Sequence, residues 1–266
     1  MNKISITITT VLVLLLVAVN PTGLRAYKIR TVVVDAGHGG HDVGCLGKAG
    51  REKDVALQVA LKFGKLVEEH MKDVKVVYTR KTDKFIELHE RASMANKANA
   101  DVFISFHCNS GQPAAFGTET WTQGLHVTKA NLEVSKRENS SVLLESDYTE
   151  KYDGFDPKDP TTHIIFELFQ SAYRGQSIKL AEKIENELVK VGRKSRGVKQ
   201  AGFLVLYRTT MPAVLVETGF LTNREEEKFL NSPDGQLKVA SSAFAAFEKF
   251  KAEIDKEDAK SESKGR

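Results

Sequence analysis

Four residues stand where this chain's pattern turns from strand to loop or from loop to helix. They are His38 in Asp35-Ala36-Gly37-His38-Gly39-Gly40, Glu52 in Gly50-Arg51-Glu52-Lys53-Asp54, His107 in Ser105-Phe106-His107-Cys108-Asn109, and Glu217 in Val216-Glu217-Thr218-Gly219-Phe220. Two imidazoles and a carboxylate (His38, His107, Glu52) are the donor set of a catalytic zinc site whose fourth position stays open to water. Glu217 ends a buried apolar run, where a carboxylate is costly unless a partner or water meets it. As a general base it would take a proton from the attacking water and pass it to the leaving nitrogen. Each residue alone has a plainer explanation: a histidine at a strand end is commonly structural, and a first-turn glutamate complements the helix dipole. Their convergence favours chemistry. In a parallel α/β sheet the carboxyl ends of strands and the amino ends of helices share one edge, and ligands bind along it.

Other chemistry-bearing residues fit less well. His89-Glu90-Arg91-Ala92-Ser93 begins like a metalloprotease helix but lacks the second histidine. His41 reads as a loop residue, and Cys45, between two proposed ligands, is an alternative donor. Strand alternation sends Cys108 to the face opposite His107. His70, His126 and His163 have no partners in the pattern. There is no Gly-x-Ser-x-Gly elbow, and Gly37 to Gly40 lacks the lysine of a phosphate loop. Two cysteines are too few for a disulfide scaffold, although export would permit one bridge between Cys45 and Cys108.

The elements that must position these residues alternate. Strands are expected at residues 29–34, 75–78, 101–106, 117–122, 203–206 and 213–216, and helices at 52–71, 87–99, 176–191, 224–230 and 234–250. That rhythm is a single α/β domain, its mainly parallel sheet flanked by helices on both faces. Residues 123–174 interrupt it as an insertion too long for an ordinary connection. Residues 251–266, charged and Ser/Lys-rich, read as a frayed or disordered charged tail. Residues 1–26, with Lys3, an apolar core of residues 11–18 and a small-residue end at Ala26, have the layout of a secretory signal peptide. That core is too short to span a bilayer, so the mature chain from residue 27 is expected to carry no membrane span. The formal net charge of +4 is spread along the chain, with no dense Lys/Arg block of the kind that binds nucleic acid.

The same four blocks resemble the zinc-dependent N-acetylmuramoyl-L-alanine amidases of the type 3 family, bacterial cell-wall enzymes. Asp35 to Gly40 resembles the family's first ligand loop, Glu52-Lys53-Asp54 its second, and Asn96 through Asn109 its third-ligand block. Met211-Pro212-Ala213 through Asn223 is similar to its catalytic-glutamate block. Ala36 stands where many members carry proline, and Cys108 where alanine is frequent; neither change removes a reacting group. The resemblance implies a six-stranded α/β catalytic domain over residues 27–250. It also implies a monomeric, exported enzyme that cuts the amide between N-acetylmuramic acid and L-alanine for wall remodelling or daughter-cell separation, in the periplasm of a Gram-negative cell. Some members carry an inserted helix that covers the zinc until an activator protein displaces it. In this chain the helix-like residues 128–144 offer Glu133 and Glu138 as candidate plugs, with an ordinary surface helix as the plainer alternative. The competing functions are a zinc peptidase acting on other amides and a non-catalytic peptidoglycan-binding protein; the second predicts loss of a ligand or of the base, and all four residues are present.

Overall fold

The computed structural model describes residues 28–125, 128–156, 159, 161–162 and 172–264. The stretch read as a signal peptide, His126 and His163 lie outside the described residues. Six strands form one sheet: β1 (Thr31–Ala36), β2 (Lys75–Tyr78), β3 (Val102–Asn109), β4 (Thr118–Gln123), β5 (Ser195–Ala201) and β6 (Ala213–Phe220). Their order is β2-β1-β3-β6-β4-β5. The first four of that order are mutually parallel; β4 meets β6 antiparallel and β5 parallel, so the last two strands run against the others. The described helices are α1 (Glu52–His70), α2 (Leu88–Lys97), α3 (Lys129–Asn139), α4 (Tyr148–Lys151), α5 (Arg174–Lys190), α6 (Leu204–Tyr207), α7 (Arg224–Asn231) and α8 (Pro233–Lys264), with a 3-10 turn at Ser140–Leu144.

Strand alternation divides the core in two. Val32, Val34, Ile104, Phe106, Cys108, Val214 and Val216 face a cluster with Phe63 of α1, Leu180 and Ile184 of α5, and Phe247 and Phe250 of α8. Val33, Phe103, Trp121 and Leu215 face a second cluster with Ala95 of α2, Leu204 of α6, and Val142, Tyr152 and Phe155 of the insertion. Each large side chain so buried contributes roughly 1.5–3 kcal/mol. Asp35, His107 and Glu217 have the parity of the second set. The chemistry-bearing side chains therefore share the sheet face against which the insertion packs.

Two expectations are corrected. Residues 203–206 are not a strand; they form the single helical turn α6, and the sixth strand is Ser195–Ala201. A short apolar run suits either a buried turn or a strand. β5, paired on one side at the sheet edge, needs few apolar residues to form. The charged stretch after residue 250 is not a frayed tail, since α8 continues to Lys264. Ile254 extends the buried stripe of Phe247 and Phe250, and Lys251 pairs with Asp255 one turn on, at 2.6 Å. Among the described residues no helix is long and apolar enough to cross a membrane.

Candidate metal centre and active site

His38 follows β1 in a turn that only an unusual backbone allows. Its φ is +59°, with Gly39 at +125° and Gly40 at +59°, a left-handed excursion that costs a non-glycine residue on the order of 1–2 kcal/mol. Two buried arginines hold the turn. Arg80 donates to the carbonyls of Ala36 (2.9 Å) and Gly37 (2.7 Å), and Arg91 to those of Ala36 (2.7 Å) and His38 (2.8 Å). Gly37 must lack a side chain, because a Cβ there would lie 2.4 Å from the His107 ring. Asp42 accepts from His38 Nδ1 at 2.9 Å, and Ser141 of the insertion donates to the same carboxylate oxygen at 2.8 Å. With Nδ1–H so engaged, His38 turns the lone pair of Nε2 toward the centre.

Glu52 opens α1 and is buried. Its Oε2 accepts from the Cys45 amide (2.7 Å) and its Oε1 from the Cys108 amide (2.9 Å). His107 and Glu217 are register partners on β3 and β6, side by side at the carboxyl ends of parallel strands. The fourth member comes from the insertion: Glu138, in the last turn of α3. Glu52 Oε1 lies 3.1 Å from His38 Nε2 and 3.0 Å from His107 Nδ1; Glu138 Oε2 lies 3.3 Å and 3.0 Å from the same two nitrogens.

Those edges test whether the donors fit a metal. A tetrahedral zinc with ligands at about 2.0 Å requires donor atoms about 3.3 Å apart. His38 Nε2 and Glu138 Oε2 are buried and aligned with no hydrogen-bond partner, although each lies within 3.3 Å of an oppositely disposed group. Orphaned buried donors are expensive unless something meets them, and these two converge on one point. The residues fit a divalent ion.

The electrostatics agree. Burial would push the His107 imidazole down, but the Glu138 and Glu52 carboxylates at 3.0 Å outweigh it and hold the ring at about 9. His38 is likewise raised against its burial by Glu52, Asp42 and Glu138. Glu138 stays well below the ordinary carboxylate range despite burial, because Arg137 and the two imidazoles surround it. The cluster is thus organised around positive charge that protons or a cation can supply. Glu217 behaves in the opposite way. Burial and the neighbouring Glu138 charge lift it well above the usual carboxylate value, with Arg137 opposing. Arg137 Nη2 lies 3.3 Å from Glu217 Oε1, while Glu217 Oε2 is buried without a partner.

Of the residues singled out from sequence, His38, Glu52, His107 and Glu217 meet at this edge, and of the two proposed plugs only Glu138 does. Glu133 lies on the exposed side of α3, 3.5 Å from Lys136. His41 is an exposed loop residue stacked on Phe85, and Cys45 turns its thiol to the Cys108 carbonyl at 3.2 Å. Both cysteines are free. Sequence reasoning missed Arg137, which bridges Glu138 Oε1 (2.9 Å), Asn109 Oδ1 (3.1 Å) and Glu217. It also missed Asp42, for which an acid four residues beyond a loop histidine was the available signal, and the two bracing arginines, for which there was none.

A buried carboxylate base beside a site able to polarise water and a carbonyl is the equipment of a hydrolase, and that is the class this fold and cluster define. Comparison with known proteins makes the class specific. The family model for N-acetylmuramoyl-L-alanine amidase matches residues 32–249, and the chain belongs to that family. Among curated relatives, N-acetylmuramoyl-L-alanine amidase AmiC of Escherichia coli O6:H1 is 35% identical over 237 residues, 86% of this chain and 55% of that protein. N-acetylmuramoyl-L-alanine amidase AmiA of Escherichia coli K12 is 33% identical over 227 residues, 83% of this chain and 76% of AmiA. The chain therefore spans about half of the first relative and three quarters of the second. Among solved structures, the amidase AmiC2 of Nostoc punctiforme superposes with a TM-score of 0.61 at 29% identity, covering 83% of this chain and 96% of that one.

Proposed function

We propose that this chain is an exported, zinc-dependent hydrolase of the amide between N-acetylmuramic acid and L-alanine in peptidoglycan, held in a self-blocked state by its own insertion. One observation carries the reading: the buried nitrogens of His38 and His107 each lie 3.0–3.3 Å from carboxylate oxygens of both Glu52 and Glu138, and all four donor atoms fall within 4.8 Å of one another. His38, Glu52 and His107 are the resident ligands, and Glu138 takes the position that water would need. Zinc held there would polarise the scissile carbonyl and acidify the water beside it. Glu217, with its raised pKa, is placed to accept a proton from that water and return it to the alanine nitrogen. Asp42 fixes the tautomer of His38. Arg137 occupies Glu217 while Glu138 occupies the cluster, so one turn of α3 silences both halves of the chemistry. An activator protein that lifts the insertion would release them together, for wall remodelling or daughter-cell separation in the periplasm. Residues 1–26 would direct the export, and the mature enzyme would act as a monomer.

The test is digestion of purified peptidoglycan by the mature chain and by Glu138→Ala, with and without chelator. Intact stem peptides bearing a new N-terminal alanine, together with free lactyl carboxyls, are the expected products. Glu217→Gln should lower the rate by roughly 10²- to 10⁴-fold while the protein still retains zinc. Cleavage inside the stem peptide would make the protein a peptidase. Silence of every variant, including one without the insertion, would leave a wall binder.

A further inference from the structure

Beside the cluster lies a second hollow of about 420 Å³. Its lining follows directly along the chain from that of the cavity over the cluster. That cavity, of about 470 Å³, is lined by Gly44, Cys45 and Ser110; the second is lined by the next residues of the same two loops, Leu46, Lys48, Gly111 and Pro113, with Leu221 and Arg224 closing the far wall. The two hollows are therefore neighbours along the same pair of loops, with donors of the cluster lining the first. Among the described residues none of the insertion lines the second hollow.

The walls of the second hollow are preformed. Glu227 of α7 is buried and accepts from the amides of Ala49 (2.6 Å) and Gly50 (2.9 Å), pinning the loop that carries Lys48. A Cβ on Gly47 would lie 2.2 Å from the same carboxylate oxygen, so a side chain there would displace Glu227 from those amides. On the other wall Gly111 donates to Thr222 Oγ1 (3.0 Å) and Asn223 to the Pro113 carbonyl (2.9 Å). The lining is apolar at Leu46, Pro113 and Leu221, and its two basic side chains, Lys48 and Arg224, are exposed. Among the described residues neither forms an ion pair within 4.0 Å, whereas the buried acid beside them, Glu227, is spent on backbone amides. An apolar hollow with a few fixed polar groups is the usual form of a small-ligand subsite. Two exposed cations outside the described ion pairs set the sign of what enters it, with Arg224 feeling the longer-range attraction of exposed Glu225.

On the amidase reading, the bond at the cluster has uncharged sugar on one side and a stem peptide with free carboxylates on the other. We propose that the hollow between Leu46 and Arg224 is the stem-peptide subsite, and that Lys48 and Arg224 make the enzyme prefer stems with free carboxylates over stems whose carboxylates are amidated. The described residues of the insertion do not line the subsite, so it also binds stem peptide in the self-blocked protein.

Two measurements test this. In the first, Glu138→Ala is assayed on synthetic muramyl peptides carrying either free-acid or amidated stems, alone and with Lys48→Glu/Arg224→Glu added. The preference for the free acid in kcat/KM should be roughly tenfold, carried by KM, and should collapse to near unity in the charge-reversed variant. Equal loss on both substrates, or loss in kcat alone, would overturn the assignment; so would a loss that tracks glycan length, which would give the hollow to sugar. In the second, calorimetric binding of a free stem peptide to the full chain should be measurable with the insertion in place and lost on charge reversal. Absence of binding to the unmutated full chain would also overturn it. If peptide binds as described while no variant releases lactyl carboxyls, the subsite stands and the amidase reading falls.

Discussion

At the sheet edge His107 and Glu217 are register partners in the β3–β6 ladder, just before its register shifts, and His38 hangs from a turn held by four arginine-to-carbonyl bonds. In the insertion, Glu138 reaches the same point from a helix that is attached from outside. Asn139 bonds to the Gly202 carbonyl and the Leu204 amide, Ser141 to Asp42, and Glu145 and Tyr152 to the first two amides of α2 at 2.9 and 2.8 Å. Helix α2 has no side-chain cap of its own, since Glu87 at that position makes no capping bond; the insertion supplies one. The edge is thus part of the fold, while the described part of the insertion is docked on it through hydrogen bonds, the Lys151–Glu87 and Asp153–Arg208 ion pairs, and the buried side chains Val142, Tyr152 and Phe155, with Val134 and Tyr148 packed beside them. The β1–β3–β6 ladder is made without any residue of the insertion, so undocking the insertion is expected to leave that ladder paired.

The largest test of that contrast sets the two cluster carboxylates against each other. Glu52→Ala should abolish hydrolysis, since it removes a ligand the fold itself supplies. Glu138→Ala should raise basal hydrolysis at least about tenfold, because breaking a buried charged contact costs several kcal/mol and each 1.4 kcal/mol is tenfold in a docking equilibrium. Zinc content should survive the second substitution and fall in the first. If Glu138→Ala is as silent and as metal-poor as Glu52→Ala, the carboxylates are equivalent permanent ligands and the contrast is wrong.

A smaller effect, and one with a sign, comes from pH. Burial would raise Asp35, but Arg91 at 2.9 Å and the hydroxyls of Ser105 and Thr79 hold it below its ordinary 3.8. Its stabilisation of the edge is therefore complete above the unfolded value and is lost as pH falls through the folded one. Glu145 is shifted the other way: burial raises it above 4.5, and the Leu88 amide and Tyr152 hydroxyl only partly offset this. The docked insertion binds that proton more tightly than the free one, so docking weakens as pH rises from about 4.5 through the raised value. Proteolytic nicking of the insertion, referred at each pH to Glu145→Gln, should accelerate severalfold across that window. Global unfolding, referred to Asp35→Asn, should show stability increasing with pH below it. Responses of the same sign would join the two regions into one unit.

The edge was more legible in the sequence than the insertion, for a physical reason. Strand ends and helix starts announce themselves by composition, and parallel topology obliges them to converge, so His38, Glu52, His107 and Glu217 were recoverable from pattern alone. The buried stripe past Phe250 was hidden by charged neighbours, and β5 by a sequence with one β-branched residue, Val198. Arg80 and Arg91 act on backbone carbonyls, which no side-chain pattern encodes. Arg137 depends on where α3 lands, which is fixed by Asn139, Val142 and Tyr152 meeting partners far along the chain.

The smallest predicted effect is also the most discriminating about how the helix docks. Glu133 and Glu138 are five residues apart, which at 100° per residue places them about 140° apart around the axis. One helix cannot aim both at the same point, and α3 buries Glu138 while leaving the Glu133 side chain 58% exposed beside Lys136. An exposed i,i+3 pair of this kind is worth about 0–1 kcal/mol. Glu133→Ala should therefore change basal hydrolysis less than about twofold, where Glu138→Ala changes it by an order of magnitude or more. The two variants remove the same charge from the same helix, so general weakening of α3 would move both alike. Activation by Glu133→Ala as large as that by Glu138→Ala would mean the insertion blocks by bulk rather than by one carboxylate. A difference of the expected size assigns the block to the single turn that carries Arg137 and Glu138.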